Sequence, residues 1–330
     1  MPILVTGGTG YIGSHTCVEL LNNNHSVVIV DNLVNSNKEV VDRIEEITGK
    51  RPIFYEVDAT DGEKMEEIFA EHDFDGVIHF AGLKAVGESI EKPLAYYKNN
   101  LLSTMVLMEN CLKYKVNRFV FSSSATVYGD NEVPFVETMD LLPTINPYGE
   151  TKVICERILT DLAKVNPDIS ISLLRYFNPI GAHKSGIIGE LPQGIPNNLM
   201  PYITQVAKGK REKLRIFGND YATADGTGVR DYLHVVDLAE GHVVALHKAT
   251  PGVQIYNLGT GKGTSVLELV HAFEEATGVE IPYEIAERRP GDLAECYADA
   301  TKIKKELGWV ASRTLVDMCR DAWRFERNLE

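Results

Sequence analysis

The chain has 330 residues, of which 44% are hydrophobic, enough for one large or two modest domains with full cores. Its net charge of −14 disfavours nucleic acid and anionic membrane surfaces as partners. The five cysteines (Cys17, Cys111, Cys155, Cys296 and Cys319) are scattered without a C-x-x-C pair, which reads as reduced thiols of a cytoplasmic protein with no structural metal. No apolar stretch approaches the roughly 18 residues of a membrane span, and a strand starting at residue 2 leaves no room for a signal peptide.

In chain order, Pro2-Ile3-Leu4-Val5-Thr6 reads as a buried strand running into Gly7-Gly8-Thr9-Gly10-Tyr11-Ile12-Gly13 and then a helix through Leu20-Leu21. Glycines at 7, 10 and 13 let the turn tighten and bring backbone close to a pyrophosphate at the helix N-terminus. The next strand, 26–30, ends in Asp31, 18 residues after Gly13, where a carboxylate holds the adenosine ribose hydroxyls. Asn32 follows with no basic residue beside it. A carboxylate there repels a 2′-phosphate, so the pattern predicts NAD rather than NADP. Strand, glycine turn, helix, strand and acid in this register form a specific signal.

Further strands at 52–57, 76–81, 118–123 and 170–176 alternate with helices at 38–48, 63–71, 93–114 and 148–164. Buried-looking strands separated by helices predict an α/β fold with a doubly wound parallel, Rossmann-type sheet. Strand 118–123 ends in the hydroxyl cluster Ser122 to Thr126. In an open α/β sheet ligands bind beyond the carboxyl ends of strands, so this cluster and Asp58, Ala81 to Lys84 and Tyr176 to Asn178 are expected to rim one cleft. The helix that follows opens Asn146-Pro147-Tyr148-Gly149-Glu150-Thr151-Lys152, with Asn146 as N-cap and Pro147 at the first helical position. Tyr148 and Lys152, one turn apart, share a face. The ammonium and the positive end of the helix dipole both favour phenolate, which makes Tyr148 a general acid/base.

After Asn178 the texture changes. Residues 179–228 are rich in Gly, Pro and Asn with little periodicity beyond a helix near 198–208, as in a substrate-binding region. The expected division is an NAD-binding domain at 1–177, with 229–258 packing back on it, and a smaller α/β substrate domain at 178–330. Gly259-Thr260-Gly261-Lys262-Gly263-Thr264-Ser265 imitates a phosphate loop but lacks the Walker spacing, so it reads as a structural turn with Thr264-Ser265 capping the helix from Val266.

Across nearly its whole length the chain resembles the extended short-chain dehydrogenase/reductase family. The strings that carry the likeness are Gly7 to His15, His79 to Ser89, Phe121 to Gly129, Arg175-Tyr176-Phe177-Asn178, Pro192 to Pro201 and Gly228 to Tyr232. The resemblance implies inversion of C4 in a UDP-hexose through a 4-keto intermediate, with tightly bound NAD regenerated each cycle and no metal. Tyr148 would exchange the proton of the sugar 4-hydroxyl. Ser124 would hydrogen-bond the same oxygen, and Lys152 would hold the nicotinamide ribose. The implied NAD contacts are Gly7, Gly10, Tyr11, Ile12, Gly13, Asp31, Asn32, Asn35, Ser36, Asp58, Ala59, Phe80, Ala81, Gly82, Lys84, Asn99, Ser124, Tyr148, Lys152, Tyr176 and Phe177. On the nucleotide side, Arg230 and Arg289 would clamp the diphosphate. Asn178 and Asn198, with Leu199 beside it, would meet the phosphate and sugar end, Phe217 the uracil and Asp292 its ribose. Cys296 takes a place that is Tyr in relatives restricted to glucose and galactose, which implies room for a 2-acetamido group.

Three rivals fit less well. A nucleotide-sugar 4,6-dehydratase needs an extra acid and base beside the catalytic hydroxyl, where this chain has Ala125 and Thr126. A net oxidoreductase would consume NAD in proportion to product. A regulatory NAD-binding module usually lacks one of Ser124, Tyr148 and Lys152. Family members are commonly homodimers, and helices 93–114 and 148–164 could supply a four-helix interface, although Leu101, Met105, Met108 and Leu112 suit a core equally well.

Overall fold

A computed structural model describes residues 1–289 and 292–329. Pro290, Gly291 and Glu330, which fall within the expected substrate domain, lie outside the described residues. The chain divides into two compact units. The first comprises 1–129, 140–175 and 239–256; the second comprises 130–139, 176–238 and 257–330. Only part of the segment 229–258 therefore returns to the first unit, and a ten-residue loop, 130–139, leaves it for the second.

The first unit is built on strands β1 (Ile3–Thr6), β2 (Val27–Asp31), β3 (Ile53–Glu56), β4 (Gly76–His79), β5 (Arg118–Ser122) and β6 (Ser170–Tyr176), with Gly252–Leu258 as a seventh. Their order is β3-β2-β1-β4-β5-β6 and then Gly252–Leu258. The pairs from β3 to β6 are parallel, with Val5 beside both Ile29 and Ile78. This is the doubly wound order, whose direction of winding reverses between β1 and β4. Strands β1, β2 and β4 are buried along their whole length because helices cover both faces, which is why they read as unbroken apolar runs. The edge strand β3 exposes Ile53.

The covering helices are α1 (Tyr11–Asn22), α2 (Glu39–Thr48), α3 (Gly62–Glu71), α4 (Val86–Glu91), α5 (Pro93–Lys113) and α6 (Pro147–Val165). The expected helices appear within one or two residues of their predicted bounds. The short α4 carries too few turns to announce itself by periodicity. Leu4, Val28, Val30, Val77, Phe119 and Phe121 from the sheet meet Phe69, Leu107, Met108 and Leu159 from α3, α5 and α6 in one core.

The second unit has its own core, formed by Ile180, Ile203, Ile216, Phe273 and Met318. Its strands are short: Asn178–Ile180 beside Tyr232–His234, Leu214–Phe217 beside Tyr283–Ala286, and Val229–Arg230 between Thr264–Ser265 and Glu295–Cys296. Pieces of two to four residues leave no periodic trace, so the sequence between 179 and 228 reads as irregular apart from the helix, which spans Leu199–Ala207. Ser265 caps the helix Val266–Thr277 in a capping box with Glu268, as Thr264-Ser265 suggested. The loop before it wraps Asp231, whose buried carboxylate accepts from Thr260 N and Oγ1, Gly261 N and Ala298 N.

Candidate active site

The dinucleotide turn lies where the sheet order reverses. Gly7 has φ +71°, and a Cβ there would stand 2.8 Å from Ala81 N at the end of β4. A Cβ on Gly13 would stand 2.2 Å from Gly7 O, so neither position admits a side chain. Helix α1 begins after Gly10 with no side chain capping it and no acid in its first turn, so its N-terminus suits an anion. At the end of β2, Asp31 Oδ1 accepts from Leu33 N and Ser36 Oγ, both at 2.9 Å, and Oδ2 from Thr9 N at 3.2 Å. These bonds aim the carboxylate and leave Oδ2 with acceptor capacity for a ribose diol. Asp58 is pushed up by burial, but bonds from Thr60 and Asn32 outweigh this and hold it below the usual carboxylate range. Glycine cradle, open helix terminus and aimed carboxylate fit the pyrophosphate and ribose of NAD.

The other expected cofactor residues of this unit follow the strand ends. Asn35 is exposed beside Ser36, Ala59 is buried beyond β3, and Phe80, Ala81 and Gly82 follow β4 with the exposed Lys84. Asn99 lies on α5, its amide donating to Asn100 Oδ1. Tyr176 and Phe177 belong to the second unit.

Asn146 caps α6 through Gly149 N at 2.9 Å, with Pro147 at the first position. Tyr148 and Lys152 are both about 7% exposed, with Lys152 Nζ 5.9 Å from the centre of the Tyr148 ring and 4.7 Å from that of Phe121. Nζ donates to Ser122 O at 2.7 Å, which fixes the ammonium against the end of β5. Burial pulls Lys152 down to about 8, while Cys155 and Glu156 oppose the fall. Ser124 lies two residues beyond β5 and caps the short 3-10 helix Ala125–Tyr128. Its Oγ accepts from Thr126 N at 3.2 Å and Thr126 Oγ1 at 3.0 Å, so the Ser124 proton is directed outward as a donor. A Cβ on Gly149 would stand 3.3 Å from Thr144 Cβ and 3.4 Å from Thr126 Cβ, so α6 packs closely on this turn beside Tyr148.

Sequence reasoning missed a buried bridge behind the tyrosine. Asn100 accepts from Leu83 N and donates to Leu83 O and Thr151 Oγ1, and Thr151 Oγ1 donates to Tyr148 O. The loop after β4 is thereby tied to the first turn of α6. The adjacent Asn99 is the nearest signal in the sequence.

In the second unit, Cys296 pairs in register with Arg230, so the two predicted substrate residues are neighbours on adjacent strands. Arg230 Nη2 lies 3.8 Å from Asp292 Oδ1. Arg289 stacks its guanidinium 4.0 Å from the centre of the Phe217 ring. Asn198 Nδ2 donates to Glu190 Oε1 at 2.5 Å at the start of the helix that continues through Leu199. Asn178 is exposed at its strand end, with its backbone N–H donating to Asp231 O. Burial raises the Cys296 thiol to about 11, with Arg230 opposing and Asp231 adding to the shift, so it stays neutral.

The family model described as GDP-mannose 4,6 dehydratase matches residues 4–322. A UDP-glucose 4-epimerase of Bacillus subtilis (strain 168) is 60% identical over 329 residues, 99% of this chain and 97% of the relative. Among solved structures, the UDP-glucose 4-epimerase of Bifidobacterium longum in complex with NAD+ and UDP superposes with a TM-score of 0.96 at 52% identity, covering 99% of this chain and 98% of that one. The Stenotrophomonas maltophila UDP-glucose-4-epimerase, with bound NAD and formylated UDP-arabinopyranose, gives 0.96 at 51% with the same coverage.

Proposed function

This chain belongs to the GDP-mannose 4,6 dehydratase family of extended short-chain dehydrogenase/reductases, and we infer that it is an NAD-dependent isomerase that interconverts UDP-glucose and UDP-galactose at C4. The observation that carries this reading is the Ser124, Tyr148 and Lys152 set in a chain whose curated relatives and solved neighbours are UDP-glucose 4-epimerases. Bound NAD would supply the hydride acceptor and donor for C4, with a 4-keto sugar open to return of hydride on either face. Tyr148 takes the proton of the 4-hydroxyl and returns it after inversion. Ser124, with both acceptor bonds supplied by Thr126, donates to the sugar 4-oxygen. Lys152, held by Ser122 O, keeps a positive charge beside the phenol and would hold the nicotinamide ribose. Arg230 and Arg289 grip the diphosphate, Asn178, Asn198 and Leu199 its sugar end, and Phe217 and Asp292 the uridine.

The dehydratase reading asks for an acid and base next to Ser124. Ala125 and Thr126 stand there, and the carboxylate on the far side of the strand end, Glu156, is engaged by Ser123 and Arg175. Purified protein given UDP-galactose without added cofactor should form UDP-glucose. Accumulation of a 4-keto-6-deoxy sugar, or strict dependence on consumed NAD, would overturn the assignment.

The N-acetylated pair, UDP-GlcNAc and UDP-GalNAc, belongs to the same proposal. A thiol at Cys296, beside Arg230, is smaller than the phenol that glucose-restricted relatives carry there, so Cys296→Tyr should abolish turnover of the N-acetyl pair and spare the glucose pair. Retained N-acetyl activity would defeat the gate. A homodimer through α5 and α6 is supported by Met105 and Leu112, which are 39% and 36% exposed, whereas Met108 is in the core. Light scattering on Met105→Glu would read its loss. The free, scattered cysteines support a cytoplasmic enzyme.

A further inference from the structure

A buried ionic group behind the catalytic residues takes no part in the chemistry above. Glu156 lies one turn beyond Lys152 on α6, Arg175 next to last in β6, and Ser123 just past β5. They are 4%, 3% and 0% exposed. Arg175 grips the carboxylate twice, Nε to Oε1 at 3.0 Å and Nη2 to Oε2 at 2.6 Å. Ser123 Oγ donates to the same Oε1 at 2.6 Å. The guanidinium carbon also lies 4.8 Å from the centre of the Tyr128 ring, at the far end of the turn that Ser124 opens.

Stability alone is a poor account of such a pair. Desolvating two charges often costs more than their attraction returns, and apolar residues of similar volume commonly do as well. Location is a better account. Ser123 stands between Ser122, whose carbonyl holds Lys152, and Ser124, whose hydroxyl meets the sugar oxygen. One carboxylate therefore grips the residue that joins two catalytic contacts, while its arginine steadies the end of the same turn.

We propose that Glu156, clamped by Arg175, is a positioning residue for the epimerisation: through Ser123 it fixes Ser122 O against Lys152 and Ser124 Oγ toward the 4-oxygen. This rests on Ser124, Tyr148 and Lys152 being the catalytic set, so Tyr148→Phe is the control that separates the two ideas. Glu156 also has an electrostatic reach. The groups facing Lys152 are Tyr148, Cys155 and Glu156 on α6, His79 on β4, and the Phe121 ring and Ser122 carbonyl on β5. Burial and the Lys152 charge hold His79 neutral, down at about 3. Glu156 is the carboxylate in that company, and it raises Lys152 against the pull of burial.

Removing Glu156 alone strands Arg175, so the test uses variants that keep the interior balanced: Ser123→Ala, Glu156→Asp, and the paired apolar exchange Glu156→Leu with Arg175→Met. Each is compared with the parent for melting temperature, bound NAD, kcat, KM and the pH profile of kcat. A displacement of catalytic groups by about 1 Å costs on the order of 100-fold, so the paired exchange should lose about that much kcat while keeping its NAD. Its alkaline limb should move to lower pH, because Lys152 has lost its anionic neighbour. Ser123→Ala should lower kcat by a smaller factor with the limb unmoved, and Glu156→Asp should restore the limb. Normal kcat and an unmoved limb in the paired exchange, with Tyr148→Phe inactive, overturn the proposal alone. Losses that merely follow melting temperature and NAD content overturn it too. An active Tyr148→Phe overturns the catalytic assignment beneath it.

Discussion

The groups assigned to chemistry and those assigned to the nucleotide are held in different ways. In the first unit, Tyr148 and Lys152 lie on a 19-residue helix and Ser124 just beyond a fully paired strand. In the second, Arg230 and Cys296 lie on two-residue strands, while Arg289 and Asp292 lie in a loop. The first set is fixed by backbone and by buried partners such as Ser122 O. The members of the second lean on each other, Arg230 on Asp292 and Arg289 on Phe217. A rigid element suits bonds that must be right only at the transition state, whereas mutually paired side chains on loops suit a ligand that exchanges partners with them.

If this contrast is functional, first-unit changes strike kcat and second-unit changes strike KM. The largest effect is expected for Tyr148→Phe, which deletes the proton carrier and little volume. Its kcat should fall at least about 100-fold with KM near the parent value, and a loss confined to KM would break the contrast. Arg230→Met comes next. Removing a charge-assisted donor costs about 1.5–3 kcal/mol, which places the rise in KM for UDP-galactose at roughly 10- to 100-fold with kcat largely kept. A pure kcat defect would mean that Arg230 acts on the reacting carbon.

Asp31→Ala sharpens the comparison from within the first unit. It removes the acceptor at the end of β2 while leaving Ser124, Tyr148 and Lys152 in place, so purified protein should carry less NAD. Added NAD should restore kcat, with affinity weakened by about 10-fold or more. Asp31→Ala protein that retains its NAD would show that the glycine turn holds the cofactor without the carboxylate.

The same contrast governs what was legible in the sequence. Gly7, Gly13, Asp31, Asn146, Tyr148 and Lys152 announce themselves because turn sterics, strand length and helical period fix their spacing along the chain. The short strands around Arg230 and Cys296 follow no period, and their roles were reached through family resemblance alone. Glu156 and Asn100 went unread, and Arg175 and Ser123 were read only as parts of a family string and a hydroxyl cluster, for another reason. A buried polar network is defined by residues far apart in sequence, and a glutamate one turn after a lysine looks like any helical ion pair. Asp231 was hidden in the same way: its neighbour Arg230 drew notice, whereas the carboxylate that gathers Thr260, Gly261 and Ala298 needs the fold to bring them together.

The smallest expected effect concerns pH and falls on the first unit. His79 ends β4 with Nδ1 2.7 Å from Thr6 Oγ1 and Nε2 3.2 Å from Thr104 Oγ1. Burial, with Lys152 adding to it, lowers its pKa from 6.5 to about 3. The unfolded chain therefore binds this proton below pH 6.5 while the folded chain refuses it, so stability falls as the pH drops from 6.5 toward 3. One such group contributes at most about 1.4 kcal/mol per pH unit in that window. Hydrogen exchange at pH 5 against pH 7 should reveal it as lost protection in β1 and β4, the strands joined by Thr6 and His79. His79→Gln should flatten the pH dependence there. If β1 and β4 keep their protection while the second unit opens first, the acid weakness lies elsewhere, and the rigid unit is sturdier than its buried imidazole implies.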